Sequence, residues 1–259
     1  MISGLFDSHC HLDDAKFDLD RPDVIGRMQH NGIVACVTVG SDLVSSQRCL
    51  DIAGDHEDIY AAVGVHPHEA KEAPADYLLD LENMLNKPKV VALGEIGLDY
   101  HYDFSPRETQ AVVFSEQLDL AYRHQLPVIV HVREAHGDVL KILRERAPKL
   151  SGGIIHCFSG SAQSAREYMA LGFYISFAGS VTFKNASKLK EAALAVPFNR
   201  LLIETDSPYL SPEPKRGKRN EPANVKYICE ALALLRGTPY EQMAYMTAQN
   251  ARDVFAIQL

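Results

Sequence analysis

Eight short apolar runs, each separated from the next by a stretch of helical character, constrain this 259-residue chain more than any other feature. The runs fall at residues 2–7, 34–39, 59–65, 90–94, 127–130, 153–155, 173–177 and 201–203. Several are nearly continuous Val, Ile, Leu and Ala, the pattern of a strand covered on both faces. Helical segments are predicted at 21–30, 42–54, 76–85, 135–146, 161–171 and 185–195, with two more at 222–235 and 239–255. Asn31-Gly32 and Gly172 stand where helices should end. Ser105-Pro106-Arg107-Glu108 reads as a capping box that opens a long helix, with Phe114, Leu118, Ala121 and Tyr122 on its apolar face. Strand–helix alternation of this kind requires a parallel sheet, and an α/β fold closed into a (β/α)8 barrel is the economical arrangement. An open doubly wound sheet is the alternative, but no G-x-G-x-x-G follows the first run. No linker, repeat or low-complexity tract divides the chain, so residues 1–259 are expected to form one domain.

In a parallel barrel the chemistry collects where the strands end. The first run leads into Asp7-Ser8-His9-Cys10-His11, and the third into His66-Pro67-His68. Glu95 follows the fourth run, His131 the fifth, His156 the sixth, and Glu204 and Asp206 the eighth. A single histidine there is more often a hydrogen-bonded structural residue. Ligand-type residues on several independent strands, all at one rim, are hard to explain by packing. Strand alternation points His9 and His11 the same way, so both rings can converge on one metal ion, and Asp7 has the parity to orient one of them. Four histidines with Glu95 and Asp206 exceed what one tetrahedral ion with an open position uses. They suit two ions bridged by a carboxylate, for which Glu95 is the natural residue, because its two oxygens can serve both.

Composition narrows the partners. A net charge of −8 is unlike that of a protein coating long duplex DNA, so any nucleic acid must be gripped locally. Five cysteines with no C-x-x-C pair point to a reducing compartment and a cytoplasmic location. Neither a secretory leader nor a membrane-spanning run is evident in the sequence.

Read in order, Phe6-Asp7-Ser8-His9-Cys10-His11-Leu12-Asp13, Gly64-Val65-His66-Pro67-His68, Gly94-Glu95-Ile96-Gly97-Leu98-Asp99, His131, His156-Cys157-Phe158-Ser159-Gly160 and Glu204-Thr205-Asp206-Ser207-Pro208-Tyr209 resemble the TatD family of metal-dependent deoxyribonucleases. The likeness spans the whole chain. It implies that His9, His11, Glu95, His131, His156 and Asp206 are metal ligands. It also implies hydrolysis of DNA phosphodiesters, often from the 3′ ends of single strands, with Mg²⁺ as the working ion. An imidazole-rich set would also take Zn²⁺ or Mn²⁺. The wider amidohydrolase-like superfamily often carries a modified lysine on the fourth strand. Glu95 in that place favours the nuclease branch.

Lys215-Arg216-Gly217-Lys218-Arg219 sets four cations just after Asp206 in an otherwise acidic protein. A solvated surface loop is the usual meaning of such a run. Its position favours phosphate contact by Arg216 and Arg219. Arg133 has the same logic, His66 is placed to touch the phosphate or the leaving group, and Tyr209 could stack on a base. Ser159 and Gly160 precede a helix whose N-terminus could offer N–H groups to a phosphate. The expectation is therefore a two-metal phosphodiesterase acting on single-stranded DNA, with RNA ends as a further partner, in which Asp206 accepts a proton and Glu95 bridges the ions. The alternatives are a small-molecule hydrolase of a lactone, cyclic amide or phosphotriester, and a non-catalytic metal-binding scaffold. A monomer is the default.

Overall fold

The structure, a computed structural model, describes residues 4–258. Its strands are β1 (Leu5–Cys10), β2 (Ile33–Val39), β3 (Ile59–Val63), β4 (Val90–Asp99), β5 (Val128–Arg133), β6 (Gly153–Ile155), β7 (Phe173–Phe177) and β8 (Leu201–Ile203). The helices between and after them are α1 (Arg21–His30), α2 (Leu43–Asp55), α3 (Tyr77–Leu85), α4 (Arg107–His124), α5 (His136–Arg146), α6 (Ala162–Ala170), α7 (Ser187–Ala195), α8 (Val225–Arg236) and α9 (Tyr240–Phe255). The strands form one sheet in sequence order, and every neighbouring pair is parallel. β1 and β8 meet at a seam, where Asp206 N–H donates to the His9 carbonyl (2.9 Å) and His11 N–H to the Ser207 carbonyl (2.7 Å). This is a (β/α)8 barrel, and the doubly wound alternative is excluded.

Two apolar layers hold it. Outward-facing Leu5, Ile59, Val63, Val128, Val130, Ile155 and Ile175 pack under the helices. Inward-facing Phe6, Val37, Ala62, Ala92, Ile129, Ile154 and Leu202 fill the barrel, where Val254 and Phe255 of α9 join them. Phe6 and Phe255 stack with ring centroids 6.1 Å apart. The last helix thus closes the amino-terminal end of the barrel and leaves the carboxyl-terminal end open. Among the described residues no helix is long and apolar enough to cross a membrane.

Several expectations need correction. Residues 2 and 3 of the first run lie outside the described residues, and β1 continues through His9 to Cys10. β4 and β5 also outrun their apolar cores, so Glu95 and His131 sit within strands rather than after them. Burial, not the polar residue, decides where these strands stop. Ser105 does not cap α4; Pro106 holds that position with no side-chain bond, while Ser105 Oγ donates to the His68 carbonyl (2.8 Å) and accepts from Lys71 N–H (3.1 Å). Tyr122 turns to solvent, 48% exposed, whereas Phe114, Leu118 and Ala121 are buried. The expected helix from 222 begins as a 3-10 turn, Pro222–Asn224, before α8.

Candidate metal centre

Bends in the strands bring the site together. The β1–β2 register breaks between Asp7 and Cys10, and the β4–β5 register between Leu93 and Ile96. Such irregularities re-aim side chains. His9 and His11 meet there, with Nε2 atoms 3.2 Å apart. Asp7, expected to orient a ring, instead accepts from Thr205 N–H (2.8 Å) and Thr205 Oγ1 (2.6 Å), tying β1 to the segment after β8. Gly97 allows β4 to close on β5: its φ is +149°, and a Cβ would lie 2.0 Å from the His131 carbonyl oxygen. Asp206 (φ 54°) and Cys157 (φ 42°) both occupy the left-handed region, a cost of the kind that concentrates at functional sites.

The donors form two groups. In the first, His9 Nε2 lies 3.4 Å from Glu95 Oε2 and 3.8 Å from Asp206 Oδ1, while His11 Nε2 lies 3.8 and 3.5 Å from the same two atoms. Four ligands at about 2.0–2.2 Å from one ion would stand roughly 3.3–3.6 Å apart, close to these spacings. In the second, Glu95 Oε1 lies 2.7 Å from His131 Nδ1, 2.6 Å from His156 Nε2 and 3.5 Å from His66 Nε2. The two oxygens of Glu95 therefore face different groups of imidazoles. Three overlapping clusters have metal-holding proportions: His9–His11–Asp206, His9–Glu95–His156 and His66–Glu95–His131. The donor set fits divalent cations. His9 Nδ1, buried without a hydrogen bond, leaves Nε2 as that ring's one engaged nitrogen.

Each second-group ring is also held from behind. His131 Nε2 is 3.1 Å from Asp99 Oδ2, and His156 Nδ1 is 3.2 Å from Glu204 Oε1. Glu204 also accepts from Cys157 N–H at 2.6 Å. Asp99 Oδ2 reaches His68 Nε2 as well, at 3.0 Å. Carboxylates behind imidazoles orient the ring and raise its basicity. Asp99 and His68 were not singled out from sequence as site residues. The available signal was the spacing from Glu95 to Asp99 in Glu-Ile-Gly-Leu-Asp, which is legible only once β4 is known to run that far.

The electrostatics are those of a cation-binding cavity. Burial opposes ionisation of Glu95, but the charges of His156 and His66 and hydrogen bonds from His131 and His156 hold it well below the usual carboxylate range. Burial acts the same way on Asp206, and the His11 hydrogen bond and neighbouring imidazoles again win, lowering it. His11 loses to burial but gains more from Asp206 and Glu95, and rises to about 9. Desolvation pushes His66 down to about 4. Its Nδ1 accepts the His68 N–H (3.1 Å), so the neutral ring carries its proton on Nε2.

A cleft of about 760 Å³ opens over the centre. His11, Glu95, His131, His156 and Asp206 line it, together with His66, Arg133, Ser159 and Tyr209. Gly160 does not; a Cβ there would meet Ser164 Oγ at 2.6 Å and Phe158 at 2.7 Å. Arg219 also lies off the cleft, in a forked pair with Asp20 (2.7 and 2.6 Å). Arg216 sits over the Phe183 ring, 4.0 Å from Glu213.

A parallel barrel with an imidazole–carboxylate centre at its open end defines a class of hydrolases. The model of the family described as TatD related DNase matches residues 6–256. The chain is 46% identical over 253 residues to an uncharacterized metal-dependent hydrolase, YabD, of Bacillus subtilis, covering 98% of this chain and 99% of that one. It is 37% identical to a protein of Erwinia tasmaniensis named 3′-5′ ssDNA/RNA exonuclease TatD, covering 97% and 99%. Among solved structures, the TatD homologue YJJV of Escherichia coli superposes with a TM-score of 0.93 at 32% identity over the full length of both chains. The chain belongs to the TatD-related DNase family and is a hydrolase.

Proposed function

We propose that this hydrolase cleaves phosphodiester bonds at the 3′ ends of single-stranded DNA, and of RNA, with two divalent ions at the Glu95 centre. The observation that carries the reading is the division of the Glu95 oxygens between two groups of imidazoles. The names of the Erwinia relatives support the substrate and polarity. His9, His11 and Asp206 would hold one ion and His131 and His156 the other, with Glu95 shared. Divalent ions there would supply Lewis acidity, offsetting charge on the phosphate and lowering the pKa of a water. Mg²⁺ is the proposed working ion. Asp206 lines the cleft with a lowered pKa and so accepts the proton of the attacking water. His66, neutral with a proton on Nε2, donates to a phosphate or leaving oxygen. Arg133 pairs with a non-bridging oxygen, and Ser159 and Tyr209 complete the walls. Arg216 and Arg219 are engaged elsewhere and receive no phosphate in this reading. The five free thiols suit a reducing, cytoplasmic location.

One observation favours a second reading. The cleft lining carries five carboxylates (Asp13, Asp14, Glu69, Glu95 and Asp206) against one guanidinium, Arg133, a balance that would also suit an uncharged lactone or cyclic amide. Chelated protein resupplied with Mg²⁺ should digest single-stranded oligonucleotides, stop at a blocked 3′ end, and leave lactones and cyclic amides intact. Glu95→Gln should abolish this activity and lower the bound-metal stoichiometry while the circular dichroism spectrum stays native. Turnover of the small molecules alone would replace the nuclease reading with the second one.

A further inference from the structure

The loop joining β4 to α4 carries two large rings to the mouth of the cleft. Tyr102 is 47% exposed and Phe104 55%. They stack with centroids 5.1 Å apart and planes 22° apart. The Arg133 guanidinium lies 4.7 Å from the Tyr102 ring centre, and His68 meets both rings edge-on at 5.5 and 4.8 Å. Tyr102 and Arg133 line the cleft.

The loop is held stiffly. Buried Gln110 accepts from Asp99 N–H (2.9 Å) and donates to the carbonyls of Asp99 (3.1 Å) and Ser105 (2.8 Å), clamping both ends. Asp99 Oδ1 accepts from the N–H groups of His101 and Tyr102, both at 2.9 Å. Arg107 forks onto Asp103 at 2.9 and 2.7 Å. Exposed apolar rings on such a fixed backbone lose little entropy when a flat partner lies on them. Tyr209, on the same cleft, has its hydroxyl committed to Asp14 (2.6 Å), and Lys16 Nζ sits 4.1 Å from its ring centre.

We infer that Tyr102 and Phe104 form a stacking platform for the base of the strand-terminal nucleotide, with Arg133 on the adjoining phosphate. This rests on the proposed nuclease reading and extends it. Arg133 has no ion-pair partner among the described residues, and it is the single arginine or lysine of the lining. The protein therefore grips a strand by its end, through one base stack and one phosphate, and does not track the backbone. Short and long oligonucleotides should bind alike, with a salt slope near that of about one phosphate, roughly −0.7.

The test uses oligonucleotides with 2-aminopurine at the 3′ end, bound by chelated protein so that no turnover occurs. Stacking should quench the fluorophore on wild type. Tyr102→Ala with Phe104→Ala should abolish the quench and weaken binding about tenfold or more. An otherwise identical strand with an abasic 3′ end should bind wild type as weakly as the variant binds the normal strand, and the variant should lose nothing further on it. Phe104→Trp should keep the quench. Should the double variant fail to fold, the wild-type comparison of normal and abasic ends still decides. Equal affinity for the two ends, an equal loss by the variant on both, or affinity that climbs steeply with strand length would overturn the platform while leaving the nuclease reading intact. If the Mg²⁺-loaded protein digests no oligonucleotide of any length, the nuclease reading falls and the platform with it.

Discussion

Glu204 shows how one buried carboxylate can serve a centre it does not enter. It is fully buried, and its Oε1 takes both the Cys157 N–H and the His156 ring. The structure puts it directly behind His156. Glu204→Ala would leave Cys157 N–H without an acceptor, at a cost of about 1–3 kcal/mol, and free the His156 ring to rotate. Metal affinity measured by calorimetric titration should fall about 10–100-fold, the scale seen when such an orienting partner is lost. Unchanged affinity would show that Glu95 alone fixes the ring. Asp99 follows the same logic for His131, with the addition that its oxygen also reaches His68 and so joins the proposed metal centre to the aromatic loop.

At the scale of elements, α4 does more than cover the sheet. Two glutamines on its buried face replace hydrogen bonds that the strands lose where they give way to loops. Gln110 clamps the loop after β4. Gln117 accepts from Val65 N–H (2.8 Å) and donates to the Val65 carbonyl (3.0 Å), fixing the chain one residue before His66. Buried backbone groups need partners, and no strand neighbour supplies them there. Gln117→Leu keeps the bulk but leaves both groups unpaired. Urea denaturation should show a loss of about 1–3 kcal/mol, and the KM for an oligonucleotide should rise as His66 drifts from its place. A stability loss without any change in KM would mean that Val65 can move while His66 stays.

Across the whole molecule, the proposed ligands come from β1, β4 and β5 and from the segments after β1, β6 and β8. Bound ions would tie together strands far apart in sequence, across the β1–β8 seam where only a few backbone bonds close the barrel. Asp7 stiffens that seam from the buried side. Burial raises its carboxyl to about 8 even though the Thr205 hydrogen bonds oppose the shift. Ligands that bind only the native state stabilise it by mass action, about 2.7 kcal/mol at a hundredfold excess over Kd. Chelation should therefore lower the melting temperature measured by calorimetry, and readdition of Mg²⁺ or Mn²⁺ should restore it. Glu95→Gln should blunt that response. A melting temperature indifferent to chelator and metal would argue against tight ion binding across the seam.

The order of strands and helices was legible in the sequence because each apolar run has strand length and each intervening stretch has helical spacing. β7 and β8 fall where the runs predict. Six histidines near strand ends, with Glu95 and Asp206, pointed to one rim because a parallel barrel directs every strand end the same way. What the runs could not show is where polar residues continue a strand. His9, Glu95 and His131 lie within strands because residues on either side of them pair with neighbouring strands, an environment set by residues distant in sequence. The same limit applies to partners. Arg219 belongs to Asp20 and Asp7 to Thr205, partners that closure of the barrel brings together, and Asp99 belongs to two histidines that lateral pairing of β3, β4 and β5 sets beside it. Local pattern determined the kind of fold and the chemistry of its rim. Tertiary packing decided which carboxylate faces which ring, because a hydrogen bond depends on position in space, and sequence spacing records only position along the chain.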